Sequence, residues 1–470
     1  MVDSRLLTGR RIIYTDVDEI NDSNVVEVLK KAMETHTVNS GEIQYLYNYY
    51  KGDQPILRRK KDIRPEICNR IVENRANEIV SFKDSYLIGK PVQYVNRSGD
   101  DTSSDDLNKL NDFMFLERKS ARDKELVNWF HICGTGYRLT LPERMGMEFE
   151  SSPFKLYTLD PRYTLVVYHS GLGHKRMMGA TYVVKDDGKI VYSVYTDNKY
   201  YEIVDDRIVK SEGHILGRVP IVEYPLNSAR LGAFEIVIPL LDAINEVSSN
   251  RLDGIEQFIQ ALMILKGVDI DSEDFKKLKE LGGLKIPADG DVDYLVQELS
   301  QSNTQTVVDD LYQSVLTICG MPNRNGGSST SDTGSAVIMR DGWSDAEARA
   351  QGTEDMFKES EAETLAIVIY IANTFAGLNL LVSGVEPRFT RRNYENIQAK
   401  SQVLTTMLAN NKIHPRLAFE YCGMFIDPEL AYTESMAYNE EQSKKAVEMM
   451  QQTSVEDNKE ENTEEEESEE

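Results

Sequence analysis

Apolar residues recur at alternating steps of three and four in one long stretch of the chain, at Val237, Leu240, Ile244, Val247, Ile255, Phe258 and Leu262. That spacing predicts a helix within 233–264 with one buried face, and Asp242, Glu246, Asp253 and Glu256 supply charge elsewhere on it. A second helical pattern opens on a capping-box arrangement at Ser302–Gln305 and runs through Val307, Val308, Leu311, Val315 and Ile318. It stops at Gly320, with Pro322 just beyond. Between the two helices the pattern is that of a compact strand-and-turn insert. An Arg-Val-Pro-Ile-Val-Glu-Tyr strand at 218–224 precedes them, and a Gly/Ser-rich loop comes after. This order describes a helical hairpin with something mounted at its tip, and both helices are expected to be short of a partner within the chain.

The same periodicities parse the rest. Residues 24–50 read as helix, with a break expected at Asn39-Ser40-Gly41, and Tyr45, Tyr47, Tyr49 and Tyr50 are expected in core and interface packing. A further helix is predicted over 66–88, and one or two more over 105–131. From Thr135 to Tyr224 the period drops to two, as in Thr181-Tyr182-Val183-Val184 and Ile190–Tyr195, with turns at Asp186-Asp187-Gly188 and Asp197-Asn198. The first half is therefore α+β. A second capping box at Ser344–Glu347 opens a helix expected to reach Phe375 and stop near Gly377, roughly 48 Å at ~1.5 Å per residue. Leu365–Val385 carries no charge over 21 residues, but Asn373, Thr374, Gly377, Asn379 and Ser383 favour a buried helix over a membrane span. Residues 393–450 read as short helices broken at Ile413-His414-Pro415, and no internal repeat is found.

Four stretches carry a resemblance. They are Asn74-Arg75-Ala76-Asn77-Glu78-Ile79-Val80 leading into Tyr86-Leu87-Ile88-Gly89-Lys90-Pro91-Val92; Cys133-Gly134-Thr135-Gly136-Tyr137; Val219–Tyr224 through Pro239-Leu240-Leu241-Asp242-Ala243; and Gly334-Ser335-Ala336. In their order and spacing they resemble the portal proteins of tailed bacteriophages of the siphophage type. Arg251-Leu252-Asp253-Gly254 departs from the pattern, replacing a more amide-rich run in mid-helix.

The resemblance implies an α+β portal-type subunit that assembles as a ring, usually of twelve copies, at one vertex of the viral head. It implies a wing over 1–232, stem helices over 233–265 and 303–320, and a small β-containing clip over 266–302. A tunnel loop would span 321–343, a spine helix with the wing return 344–392, a helical crown 393–455 and a disordered acidic tail 456–470. The expected partners are double-stranded DNA in transit without sequence reading, the packaging ATPase (the terminase large subunit), scaffold and major capsid protein, and a head-completion or tail adaptor. The tunnel loop would touch DNA through Asn323, Arg324, Asn325, Ser328, Ser329, Thr330, Ser331 and Arg340. The clip would meet partners through Asp271, Glu273, Lys276, Lys277, Lys279, Asp289, Asp291 and Asp293. The expected location is the virion, with the host cytoplasm during assembly, and no membrane association.

Charge changes this picture in one respect. The formal net charge is −25, and residues 456–470 alone hold ten Asp/Glu against one Lys. A free-standing duplex binder is normally basic, because its affinity comes from neutralising phosphates. A channel that must let DNA slide benefits from repulsive walls. The basic clusters Arg58-Arg59-Lys60-Lys61, Lys276-Lys277-Lys279 and Arg388, Arg391, Arg392 are read first as solvated faces or ion-pair partners, and otherwise as contacts to nucleic acid or protein.

Motifs for chemistry are missing from the sequence: there is no phosphate-cradling Gly-x-x-x-x-Gly-Lys-Ser/Thr, no His-Glu-x-x-His and no Gly-x-Ser-x-Gly. Cys68, Cys133, Cys319 and Cys422 are too scattered to suggest a disulfide framework or zinc site, so no cofactor is expected and a reducing compartment fits. His169 and His174 are spaced poorly for one metal. Asp289-Gly290-Asp291-Val292-Asp293 begins like a calcium loop but has Tyr294 where the sharp turn needs glycine, so it reads as a hairpin turn. Two alternatives stay open: another ring-forming phage connector or adaptor, and a metal-dependent nucleic-acid enzyme using Asp289, Asp291 and Asp293.

Overall fold

The computed structural model describes residues 9–62, 64–97, 104–143, 151–259, 262–266, 291–295, 301–323, 342–390, 397–425 and 428–467. The first strand, β1 (Ile13–Thr15), leads into α1 (Val25–Tyr50) and α2 (Arg75–Leu87). β2 (Gln93–Asn96) precedes the pair α3 (Ser104–Leu116) and α4 (Lys119–Cys133). Eight strands come next: β3 (Thr135–Pro142), β4 (Phe154–Leu159), β5 (Thr164–His169), β6 (Arg176–Val184), β7 (Ile190–Tyr195), β8 (Lys199–Val204), β9 (Arg207–Gly213) and β10 (Ile221–Pro225). They make a six-stranded sheet ordered β1-β5-β6-β7-β8-β9, in which only the β1–β5 pair is parallel, and a three-stranded sheet β10-β3-β4. The turns fall at 185–189 and 196–198, where the Asp/Gly and Asp-Asn pairs stand.

The second half is helical. α5 (Ile238–Ile259) runs to β11 (Leu262–Lys266), which pairs antiparallel with β12 (Asp291–Leu295), and α6 (Gln301–Cys319) packs back against α5. α7 (Trp343–Ala376) spans about 51 Å at ~1.5 Å per residue. β13 (Val385–Arg388) pairs with β2, and α8 (Ile397–Leu408), α9 (Pro415–Tyr421) and α10 (Pro428–Glu467) close the chain. The class is α+β. No helix among the described residues is long and apolar enough to cross a membrane; the uncharged run 365–385 is the end of α7, a turn and β13.

The three largest of four apolar cores among the described residues organise these elements. The N-terminal half of α1 lays Val25, Val28, Leu29 and Ala32 on the six-stranded sheet, against Leu165, Val167, Met178 and Val194. The C-terminal half of the same helix contributes Ile43, Leu46 and Tyr49 to a core shared with α2, α5 and α6. The third core surrounds α7 with α3, α4, β2 and β10, through Leu365, Val368, Ile371, Leu110, Phe130 and Tyr224. One rigid helix, α1, thus joins the sheet to the base of the hairpin.

Several sequence expectations are corrected by this fold. The break at Asn39-Ser40-Gly41 does not occur, because tertiary partners hold those residues inside α1. The Asn39 side chain accepts from Arg11 N–H (3.0 Å) and donates to Arg11 C=O (2.8 Å), while Ser40 Oγ donates to Arg162 C=O (2.8 Å). The helix predicted from residue 66 starts only at Arg75, capped by Asn74, because 66–74 runs alongside α5 instead. The capping box at Ser344 does not operate as one: Ser344 lies inside α7, and Gly342, at φ +80°, sits at its N-cap, while Ser302 lies inside α6, which starts at Gln301. The helix predicted to 264 ends at Ile259, and Leu262 begins a strand. The acidic run expected to be disordered is helical as far as Glu467, continuing α10; glutamate propagates a helix once it is nucleated.

Candidate functional site

The hairpin α5–β11–β12–α6 sits on the rest of the molecule through two different surfaces. On the first, Leu241, Ile244, Val308, Val315, Leu316 and Cys319 are buried with Tyr49, Ile79 and Ile132. Both helices therefore have partners within the chain at their base, correcting the sequence expectation. Leu252, Val307 and Ile318 remain exposed on the same two helices.

The second surface is polar, and sequence reading missed it. Asn245, Ser249 and Asp253 recur every four residues and so lie in one stripe on α5. Each accepts from an alternate amide of the extended segment preceding α2. Glu73 N–H donates to Asn245 Oδ1 (2.8 Å), Ile71 N–H to Ser249 Oγ (3.0 Å) and Asn69 N–H to Asp253 Oδ1 (2.7 Å). Two extended residues advance ~6.6 Å and four helical residues ~6 Å, so the two repeats stay in step over the three rungs. Asp253, 2% exposed, also takes Arg59 at 2.9 Å and the Lys61 ammonium. Burial pushes its carboxyl up, but Lys61 and both Asn69 donors outweigh that and hold it at about 2. Two members of the Arg58-Arg59-Lys60-Lys61 cluster are thus ion-pair partners of α5, and Arg58 pairs with Asp53 at 2.7 Å. The only trace of this strap in the sequence was the i, i+4, i+8 polar stripe, which includes the departure at Asp253.

Beside the strap, α2, α5 and α6 border a polar cleft of about 420 Å³. Tyr312 donates to Glu78 (2.9 Å) beneath the Arg75 guanidinium, 4.2 Å from its ring, and Arg251 donates to Gln305 Oε1 (2.5 Å) between α5 and α6.

The end of α6 and the start of α7 form a pinned base for the segment between them. Gly320, at φ +62°, ends α6 in a Schellman arrangement: Met321 N–H donates to Leu316 C=O (2.8 Å) and Gly320 N–H to Thr317 C=O (3.2 Å). Arg349 of α7 donates to the last carbonyls of α6, Ile318 at 2.8 Å and Thr317 at 3.4 Å. A side chain at Gly342 would lie 3.9 Å from the Pro322 Cα, so the two flanks meet. Phe82, Tyr86 and Trp343 cluster beside them, and Tyr86 donates to Glu347 (2.9 Å).

Of the residues singled out for the loop, Asn323 is described, at the end of α6, where it donates to Gln313 (2.7 Å). Arg324, Asn325, Ser328, Ser329, Thr330, Ser331 and Arg340 lie outside the described residues, as do Asp271, Glu273, Lys276, Lys277, Lys279 and Asp289. Asp291 and Asp293 stand in β12, in register with Lys266 and Ile264. Among the described residues no three His, Cys, Asp or Glu come together to hold a metal; His169 faces Asp18 and His174 faces the His169 carbonyl.

An apolar seat and a polar strap mount the hairpin on the rest of the protein, and the residues that flank 324–341 meet at Pro322 and Gly342. The chain matches the model of the family described as phage portal protein, SPP1 Gp6-like, over residues 29–465, and belongs to that family. It is similar to the portal protein of Bacillus phage SPP1, 22% identical over 364 residues that cover 67% of this chain and 70% of that one. A solved structure, the neck of an empty GTA particle computed with C6 symmetry, is similar over 74% of this chain and 90% of its own, at 11% identity and a TM-score of 0.42.

Proposed function

We propose that the protein is the subunit of a phage head portal, a ring at one capsid vertex through which double-stranded DNA is packaged and ejected. Family membership over residues 29–465 is the observation that carries this reading. In it, α5 and α6 are the stem, β11–β12 belong to the clip that docks the packaging ATPase and then the head-completion or tail adaptor, and α7 is the spine. The sheets and α1–α4 make the wing, facing capsid and scaffold, and α8–α10 make the crown. The segment 321–343 is the tunnel loop. Leu252, Val307 and Ile318, exposed on helices whose other apolar residues are largely buried, suit burial against neighbours in a closed heterologous ring. An acidic chain of net charge −25 suits a wall that DNA slides past rather than binds. The protein does no chemistry in this reading, and the energy for DNA movement comes from the docked motor.

Native mass measurement tests the assembly. The purified protein is expected as a closed ring of about twelve subunits, without ATP turnover of its own. A strict monomer at micromolar concentration, or ATP hydrolysis by the protein alone, would overturn the reading.

A further inference from the structure

We propose that the hairpin carries a hinge across both of its helices, at Gly254 on α5 and Ser302–Thr304 on α6, about which the distal hairpin tilts while its base stays fixed. The inference rests on the reading of β11–β12 as a partner-docking end. Three independent features place the hinge.

The first is where the clamps stand. The strap holds α5 at Asn245, Ser249 and Asp253, and Asp253 is its most distal rung. The Arg251–Gln305 brace between the two helices stands at the same level. The second is the sequence immediately distal to each clamp. Gly254 comes directly after Asp253, inside a helix, where glycine is the least favourable residue after proline. On α6 the residues on the distal side of Gln305 are Ser302, Asn303 and Thr304, which belong to the first turn of the helix, since α6 starts at Gln301, and an end turn lacks part of the intrahelical bonding. A glycine inside one helix and the end of the other thus stand at matching heights on the two arms of the hairpin, and a hairpin bends only if both arms do.

The third feature excludes motion of the base. Sliding α5 by one turn so that Ser249 faced the Glu73 amide would carry Asn245 into the apolar seat that Leu241 occupies. Sliding it the other way would present Leu241 to the Glu73 amide in place of Asn245. Strap and seat together fix the axial register, so displacement of the tip is taken up beyond Asp253. The departure Arg251-Leu252-Asp253-Gly254 is then a brace, a clamp and a joint in succession.

Hydrogen exchange of backbone amides on the assembled full chain tests this. Protection along α5 is expected to drop between Asp253 and Gly254, and Gly254→Ala is expected to slow exchange over 255–259 about fivefold, the equivalent of ~1 kcal/mol of helix propensity, while leaving 241–250 unchanged. Asp253→Ala removes the last clamp and is expected to move the boundary back towards Ser249. Uniform protection through residue 259, or a Gly254→Ala effect spread evenly over all of α5, would overturn the hinge. These readouts require neither DNA nor partner, so they fail separately from the portal reading, which stands or falls on ring mass. Rings of Gly254→Ala with Ser302→Ala and Thr304→Ala are expected to keep their mass but dock the packaging ATPase less tightly; unchanged docking would show that tilting is not used there.

Discussion

Arg138 is completely buried, and the groups around it explain how α7 is held. It donates to Asp123 (2.5 Å) and Glu361 (3.1 Å), and Lys119 reaches the same two carboxylates at 2.6 and 3.0 Å. Tyr94 and Tyr224 donate to the two Glu361 oxygens. Two cations meet two anions, so the cluster is neutral. Desolvation would raise the Glu361 carboxyl, but Lys119 and Arg138 outweigh it and hold the group down. Removing one member strands an opposite charge in the core. Glu361→Ala is expected to cost about 3–5 kcal/mol, visible as a lowered urea midpoint with unchanged m-value. His36 acts at the same scale. Its Nε2–H faces the Arg162 carbonyl at 3.2 Å, and burial depresses its pKa to about 4, against 6.5 in the unfolded chain. Acidification from 6.5 to 4 therefore loads protons preferentially onto the unfolded state. The contribution of neutral His36 is complete above pH 6.5 and is lost as pH falls through that window, by up to ~1.4 kcal/mol per pH unit. Glu235, raised to about 7 chiefly by desolvation, works in the opposite sense, losing stability as pH rises from 4.5 to 7. The difference between wild type and His36→Gln isolates the histidine: the variant is expected to lose less stability between pH 6.5 and 4, read from denaturant titrations.

At the scale of elements, one arginine joins the end of α6 to the start of α7. Arg349 closes the carbonyl end of α6 from the first turns of α7, and a side chain at Gly320 would collide with it at 2.2 Å. Arg349→Ala leaves those carbonyls to water and frees the two flanks of 324–341 from each other. Exchange of the amides of 317–321 is expected to accelerate about tenfold, consistent with loss of ~1.5 kcal/mol of charge-assisted bonding, with exchange in α4 unchanged. The contacts of Arg349 were not legible in the sequence, since they join residues 31 positions apart. The legible elements are instructive by contrast. The helices α5 and α6, the strand run 135–224 and the end of α7 at Gly377 were read from period, glycine and proline, which are local signals. The misread points were Asn39, Ser40, Ser302, Ser344 and the start of α2. At Asn39, Ser40 and the start of α2, polar side chains or backbone amides bond to residues remote in the sequence. Such residues look like caps or breaks when only their neighbours are considered. The strap is the extreme case: its donors are backbone amides, which leave no mark on the sequence at all.

For the whole molecule, the consequential feature is that α1 ties the six-stranded sheet to the hairpin seat, while the strap holds the hairpin and Arg349 joins the two flanks of 324–341. Where the flanks of a connecting segment meet, changing its length costs little entropy, because closure entropy grows only as the logarithm of length. Replacing 323–332 by a shorter Gly-Ser segment is therefore expected to leave folding and ring mass unchanged. Its effect should fall on DNA. Asn323, Arg324, Asn325, Ser328, Ser329, Thr330, Ser331 and Arg340 supply amide, hydroxyl and guanidinium donors suited to phosphate oxygens, whose contacts position a duplex without reading its bases. In the proposed ring every subunit would repeat such weak contacts, releasing and re-forming them as the duplex advances. Procapsids built with the shortened loop are expected to form normally but to package or retain less DNA, measured as nuclease-protected DNA per particle. Wild-type protection by that variant would reduce the segment to an inert linker, whereas loss of rings would show that it takes part in assembly instead.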